Sequence, residues 1–86
     1  MDVQGATLKA QVYVTYKPGV LDPQGATVCQ TLRDRGQMAV KDVRIGKYIE
    51  FELAEMSRPE AESLLAKISD ELLANPVIES YRVEIP

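Results

Sequence analysis

Histidine and tryptophan are absent from this chain of 86 residues, and cysteine occurs once, at Cys29. Histidine is the commonest general base and the commonest metal ligand, so its absence argues against acid–base catalysis and against a structural zinc site. A single cysteine cannot form an internal disulfide, which is typical of proteins from a reducing compartment. We therefore predict a cytoplasmic protein without a metal centre.

The sequence also lacks long apolar runs and clustered positive charge. No apolar run approaches the roughly 18 residues of a membrane-spanning helix, so no membrane contact is expected. The 10 basic and 13 acidic residues give a net charge of −3. The basic residues are scattered and form no stripe that could follow a phosphate backbone, so we predict no nucleic-acid partner.

The N-terminal stretch MDVQGAT has neither the basic segment nor the apolar segment of a signal peptide. We expect a flexible lead-in over residues 1–7 and a single domain over residues 8–86. A domain of this size has a modest core, and oligomerisation commonly supplements such a core.

The apolar pattern predicts six elements in the order β-α-β-β-α-β. Residues 8–16 alternate between apolar and polar, which indicates a half-buried strand. Asp22 is the expected N-cap and Pro23 the first residue of a helix. Its expected inward stripe consists of Val28, Leu32 and either Cys29 or Gly25. Gly36 is the expected left-handed residue that ends this helix.

The middle of the chain predicts a β-hairpin. Val43 and Ile45 are expected to face inward on its first strand. Gly46 and Lys47 are expected to form a tight type II′ turn before the second strand, residues 49–53.

The last third of the chain predicts a helix and a strand. Ser57 and Glu60 form the pattern of a capping box at the start of the helix. Asn75 and Pro76 are expected to end it, and residues 77–85 follow as a strand. The predicted inward stripe of the helix consists of Ala61, Leu64, Leu65, Ile68 and Leu72.

This order predicts an α+β, ferredoxin-like fold: a four-stranded antiparallel sheet in the order 4-1-3-2, with both helices on one face. The other face stays open in a monomer. Tyrosines among mixed charges suit an interface, and a solvated face is the alternative interpretation. The candidate residues for self-association are Tyr13, Thr15, Glu50 and Arg82. The whole predicted open face consists of Gln11, Tyr13, Thr15, Arg44, Tyr48, Glu50, Glu52 and Arg82.

The motifs yield no catalytic, cofactor-binding or metal-binding residue. A phosphate-binding loop needs serine or threonine after its lysine, but Tyr48 follows Lys47, and the pair lies between predicted strands. Glu50 and Glu52 point the same way on one strand and are interpreted as solvated. The isolated chain is therefore predicted to have no activity.

Three stretches of the chain resemble the small PurS subunit of phosphoribosylformylglycinamidine synthase. They occur in the family's order and at its spacing, and together they cover about half of the residues. The stretches are VYVTYKPGVLDPQG (Val12 to Gly25), VKDVRIGKYIEFEL (Val40 to Leu53) and LLANPVIESYRVEI (Leu72 to Ile85).

The resemblance implies a role in the fourth step of de novo purine synthesis. There, formylglycinamide ribonucleotide becomes formylglycinamidine ribonucleotide, with consumption of ATP and glutamine. It implies a glutaminase subunit that releases ammonia and a large synthetase subunit that binds ATP and Mg. The small subunit is implied to bind no cofactor, to form a homodimer or higher homo-oligomer, to join the two partners and to support ammonia transfer.

Rigid turns on a sheet commonly carry function, so we take two turns as the candidate partner interface. An alternative function is a stand-alone regulatory module that binds an amino acid or another small metabolite; it needs a glycine-rich turn after the first strand, which Gly19 only faintly offers. A small acyl-phosphate hydrolase needs an arginine in that loop, and residues 17–25 contain none. The candidate interface residues are Lys17, Pro18, Gly19, Arg44, Gly46, Lys47 and Tyr48.

Overall fold

The structure, a computed structural model, describes residues 7–86. In chain order the elements are β1 (Thr7–Tyr16), α1 (Pro23–Asp34), β2 (Lys47–Ala54), α2 (Arg58–Ile68), a π-helical turn (Ser69–Leu73) and β3 (Glu79–Glu84). The three strands form one antiparallel sheet in the order β2-β1-β3. The predicted lead-in lies outside the described residues except for Thr7, which already pairs with Ala54. Within residues 7–86, no helix is long and apolar enough to cross a membrane.

The core lies between the central strand and α2. The predicted alternation of β1 is confirmed, because Ala10, Val12 and Val14 are buried on one face of the sheet. Ala61 and Leu65 of α2 pack against them. Half-buried side chains complete this layer: Leu8, Ile49, Phe51, Leu53, Met56, Leu73, Tyr81 and Val83.

The predicted hairpin is wrong for the single chain. Residues 40–46 have no regular secondary structure, and β2 begins directly at Lys47. Positive φ angles occur among the described glycines at Gly19 and Gly36, so Gly46 does not form a type II′ turn. The backbone N–H of Ile45 donates to the carboxylate of Asp22 and not to a neighbouring strand. The sheet therefore has three strands, and the outer edge of β2 has no partner strand among the described residues.

The predicted ends of α1 are confirmed, and its predicted inward stripe is confirmed only in part. Asp22 caps the helix, Pro23 begins it and Gly36 follows it with a φ of +90°. Gly25 is buried and Cys29 and Leu32 are half-buried, but Val28 is 39% exposed and no α1 residue belongs to the hydrophobic core. The Cα radius of gyration is 17.2 Å, whereas a compact chain of this length has about 12 Å. Helix α1 therefore leaves the sheet instead of covering it.

A π-helical turn changes the face that the end of α2 buries. The capping box of Ser57 and Glu60 is confirmed, as is the burial of Ala61 and Leu65. The N–H of Ala74 then donates to the carbonyl oxygen of Ser69, five residues earlier. Such a turn inserts one residue and rotates the following side chains by about 100°. Leu73 therefore packs against the core, and Leu72, predicted to face inward, is 80% exposed. Leu64, also predicted to face inward, lies before the turn and is 37% exposed.

Two leucine variants test this rotation. We expect Leu65→Ala to lower the free energy of unfolding by about 2–5 kcal/mol, because it leaves a cavity in the core. Leu72→Ala should change it by less than about 0.5 kcal/mol, because an exposed side chain loses little burial. Urea unfolding at one fixed protein concentration measures both values. Equal losses would contradict the exposed position of Leu72.

Candidate functional site

Three loops meet at one end of the sheet. Because β1 runs antiparallel to both neighbours, its last residue, Tyr16, lies beside the first residues of β2 and β3. We call this the loop end and define it by residues 17–21, 43–47 and 73–78. Six of the seven predicted interface residues belong to it. The seventh, Tyr48, is the next residue of β2 and lies on the face of the sheet opposite α2.

Both lysines of the loop end donate to backbone carbonyl groups. The Nζ atom of Lys17 lies 2.7 Å from the carbonyl oxygen of Pro76. The backbone N–H of Lys17 donates to the carbonyl oxygen of Ile78 at 2.8 Å. The Nζ atom of Lys47 lies 3.2 Å from the carbonyl oxygen of Leu73, the last residue of the π-helical turn. Lysine suits this position because helix C-termini leave carbonyl groups unpaired. The two lysines thus tie residues 73–78 to β1 and β2.

Arg44 was predicted to lie on the open sheet face, and this prediction is wrong. Its guanidinium group donates to the carbonyl oxygens of Tyr16 and Lys17, at 3.1 and 3.3 Å. Arg44 therefore joins residues 43–47 to the start of the loop after β1. This contact brings the two predicted interface turns together.

Asp22 joins the same two segments from the other side and is 5% exposed. One carboxylate oxygen accepts from the N–H of Gly25 at 2.8 Å, and the other accepts from the N–H of Ile45 at 2.7 Å. These two bonds hold the pKa of Asp22 below its ordinary value, the bond from Gly25 contributing most, and the nearby charge of Arg44 adds to them. The sequence indicates the helix cap, but nothing in it indicates the bond to Ile45, which lies 23 residues away.

Exposed aliphatic side chains lie in the loop end or next to it in the sequence. Leu72 and Val77 are 80% and 78% exposed, and Leu21 is also largely exposed. Sequence analysis missed all three. The exposure of Val77 could have been suspected from the sequence, because this aliphatic residue directly follows the helix-ending pair Asn75 and Pro76, where a solvated loop would carry polar side chains.

The predicted self-association residues lie on the sheet face opposite α2. Tyr13 of β1 stands opposite Tyr48 on one side and Arg82 on the other. The two tyrosine rings are 5.1 Å apart, and the guanidinium of Arg82 lies 4.5 Å from the centre of the Tyr13 ring. The Tyr48 hydroxyl donates to Glu50, and partial burial, followed by this carboxylate, raises the pKa of Tyr48. Thr15 lies one row further along this face.

The chemistry of the loop end is that of a binding surface. Its charged groups are directed at backbone atoms, and its exposed groups are aliphatic. Among residues 7–86, no group of three or more histidine, cysteine, aspartate or glutamate side chains is placed to hold a metal ion.

Comparison with known proteins agrees with the sequence resemblance. The family model described as "PurS: Phosphoribosylformylglycinamidine (FGAM) synthase" matches residues 9–86. The chain belongs to the PurS family. It is 44% identical to the PurS subunit of phosphoribosylformylglycinamidine synthase from Bacillus subtilis, over 90% of each chain. It is 47% identical to the PurS subunit from Synechocystis, over 87% of this chain and 75% of that one.

Solved PurS structures share the fold. The B. subtilis PurS structure matches with a TM-score of 0.80 and 45% identity, over 91% of this chain and 96% of that one. A chain in the structure of PurLQS from Thermotoga maritima matches with a TM-score of 0.84 and 34% identity, over 95% of this chain and all of that one. The PurS chain described here is thus a small subunit of phosphoribosylformylglycinamidine (FGAM) synthase, a multi-subunit enzyme of purine biosynthesis.

The bonds to Asp22 predict a pH dependence of stability. Because its pKa is lowered in the folded chain, the ionised carboxylate stabilises the fold above about pH 4, and this stabilisation is lost as the pH falls through the folded pKa. We expect the stability advantage of the unaltered chain over Asp22→Asn to be largest near neutral pH and to shrink below about pH 4. Urea unfolding at a series of pH values measures the difference. A difference that stays constant down to about pH 2.5 would contradict an ionic role.

Proposed function

We propose that this PurS chain is a non-catalytic subunit that joins the glutaminase and the ATP-dependent synthetase subunits of FGAM synthase and supports ammonia transfer between them. In this proposal glutamine is used by the first partner, and ATP and Mg are bound by the second. The observation that carries it is the loop end, where exposed aliphatic side chains stand on loops tied together by side-chain bonds to backbone atoms. A cytoplasmic location stays a prediction.

The bonds within the loop end favour partner binding. A loop that is already ordered loses less conformational entropy when a partner docks. Lys17, Arg44 and Asp22 provide this order through bonds of 2.7–3.3 Å to backbone atoms. Each lysine ammonium has three donors and uses one of them within residues 7–86, so the others can meet carbonyl or carboxylate groups of a partner.

Exposed aliphatic groups supply the other half of such an interface. Leu72 and Val77 are more exposed than any other large apolar side chain of the described residues. Burial of apolar surface is the main favourable term in protein association, at roughly 25 cal/mol per Å². A partner that covers these side chains would gain from burial while the lysines fix its orientation.

We also propose that the chain forms a homodimer through α1 and the open edge of β2. Helix α1 exposes Val28 beside Pro23 and Ile45, which line an open groove. The inward side chains of β2, Ile49 and Phe51 among them, are only half-buried because α1 does not cover them. A second copy would cover both surfaces and supply the fourth strand of a ferredoxin-like sheet.

The polar sheet face remains an alternative surface for self-association. Two of its charged groups already have partners among the described residues, since Arg82 pairs with Glu84 at 3.1 Å and Glu50 accepts from the Tyr48 hydroxyl at 3.0 Å. Desolvating such groups offsets much of the gain from a new contact. The apolar surfaces of α1 and β2 carry no such cost, which favours them.

The loop end can be tested by reconstitution with the two partner subunits. We expect Val77→Asp to raise the chain concentration needed for half-maximal glutamine-dependent activity at least about tenfold, because a carboxylate replaces an apolar contact. Ser63→Asp is the matched control, since Ser63 is exposed on α2, outside the loop end and outside both surfaces considered for self-association. Activity with ammonium salts should fall less, because free ammonia bypasses the glutaminase.

Two results would count against this function. One is an unchanged activation curve for Val77→Asp in a folded chain. The other is turnover of ATP or glutamine by the purified chain alone, which would contradict a non-catalytic role.

Sedimentation equilibrium at micromolar concentration tests the homodimer. We expect twice the mass of one chain. Val28→Glu should shift the protein toward monomer, because it places a charge on the apolar side of α1. Ala26→Glu, about 200° around the same helix, is also exposed and should leave the dimer intact. Dissociation by Arg82→Ala, with Val28→Glu still dimeric, would move the interface to the polar sheet face.

A further inference from the structure

The direction of α1 is set by few contacts. No residue of α1 belongs to the core, and Gly25 is its only buried residue. The segment after α1 returns to the sheet through residues 43–46. The orientation of the helix therefore depends on how this segment is held against the start of α1.

Asp22 is the side chain that holds the two together. Its Oδ1 atom accepts from Gly25 within the first turn of α1, and its Oδ2 atom accepts from Ile45. The first bond is an ordinary helix cap, which serine would make equally well. The second bond needs a second oxygen and is not required for the helix.

The surrounding backbone is packed closely enough to make this contact specific. A Cβ atom at Gly25 would clash with the carbonyl oxygen of Val43 and would lie 2.6 Å from Oδ2 of Asp22. At the other end of the segment, a Cβ atom at Gly46 would clash with the carbonyl oxygen of Val14 and would lie 2.8 Å from Cγ2 of Thr15. Residues 43–46 thus lie directly between α1 and the end of β1.

We propose that Asp22 is a positioning residue for assembly of the enzyme. Its carboxylate holds residues 43–46 against the start of α1 through the bond from Ile45, and this contact sets the direction in which α1 leaves the sheet. This inference rests on the proposed subunit function. In that function, α1 meets a second copy and residues 43–47 meet a partner subunit, so one carboxylate aligns both surfaces.

The substitution Asp22→Ser removes the bond from Ile45 but keeps the helix cap at Gly25. A serine hydroxyl can still accept from Gly25, but its single oxygen cannot also reach Ile45. We expect the helical circular dichroism signal to stay close to that of the unaltered chain, and the melting temperature to fall no further than in Asp22→Asn, which also lacks the ionised carboxylate. The concentration needed for half-maximal activation of the two partner subunits should rise at least about fivefold. Asp34→Ser, which removes an exposed carboxylate from the other end of α1, is the matched control and should change neither value.

The direction of α1 is measured directly by the distance between two spin labels. One label is placed at Gln30 of α1 and one at Ser80 of β3, both exposed, in a Cys29→Ala background and diluted with unlabelled chain. We expect a narrow distance distribution with Asp22 and a broad one with Asp22→Ser. If the unaltered chain fails to activate the partners, the proposed function fails, while this distance still decides whether Asp22 positions α1.

Gly25→Ala is a second variant in case Asp22→Ser does not fold. Alanine is the better helix former by about 1 kcal/mol, but its Cβ atom must displace Val43 and Asp22. The same broad distribution and weakened activation are expected. A narrow distribution with either folded variant, or unchanged half-maximal activation, would overturn the proposal.

Discussion

The position of β1 between two antiparallel partners is the constraint on which the rest of the structure depends. Its buried side chains form the middle of the core, and α2 packs against them. Because both neighbours run in the opposite direction, the end of β1 meets the starts of β2 and β3. The loop end follows from this register. A different pairing would separate Lys17 and Lys47 from the carbonyl groups that they contact.

Only one of the two α-helices in the described residues covers the sheet. This leaves a half-covered β2, an exposed side of α1 and a polar outer face. A core of this size stabilises a chain modestly, and association commonly adds what it lacks. Surfaces left open in the single chain are available to other chains, which suits a subunit of a multi-subunit enzyme.

The loop end is held mainly by bonds between side chains and backbone atoms. Lys17, Lys47 and Arg44 donate to carbonyl oxygens, and Asp22 accepts from two N–H groups. Every residue type has a backbone carbonyl group, and every type except proline has a backbone N–H. The sequence therefore does not indicate which residues form these bonds. The candidate turns could be chosen from proline and glycine content and from the family resemblance. The contacts that join these turns, and the exposure of Leu72 and Val77, could not be predicted from the sequence.

The sequence by itself determined the strong local features: the alternation of β1, the caps Asp22 and Ser57, the stop at Gly36 and membership of the PurS family. These depend on neighbours a few residues apart, which pattern and propensity describe well. Tertiary structure decided where residues 40–46 and α1 go, because Ile45 bonds to Asp22 and not to a strand. It also decided which face of α2 is buried beyond Ile68, since one inserted residue in the π-helical turn rotates Leu72 outward. A fixed helical period cannot anticipate such an insertion, because every side chain after it is shifted by one position.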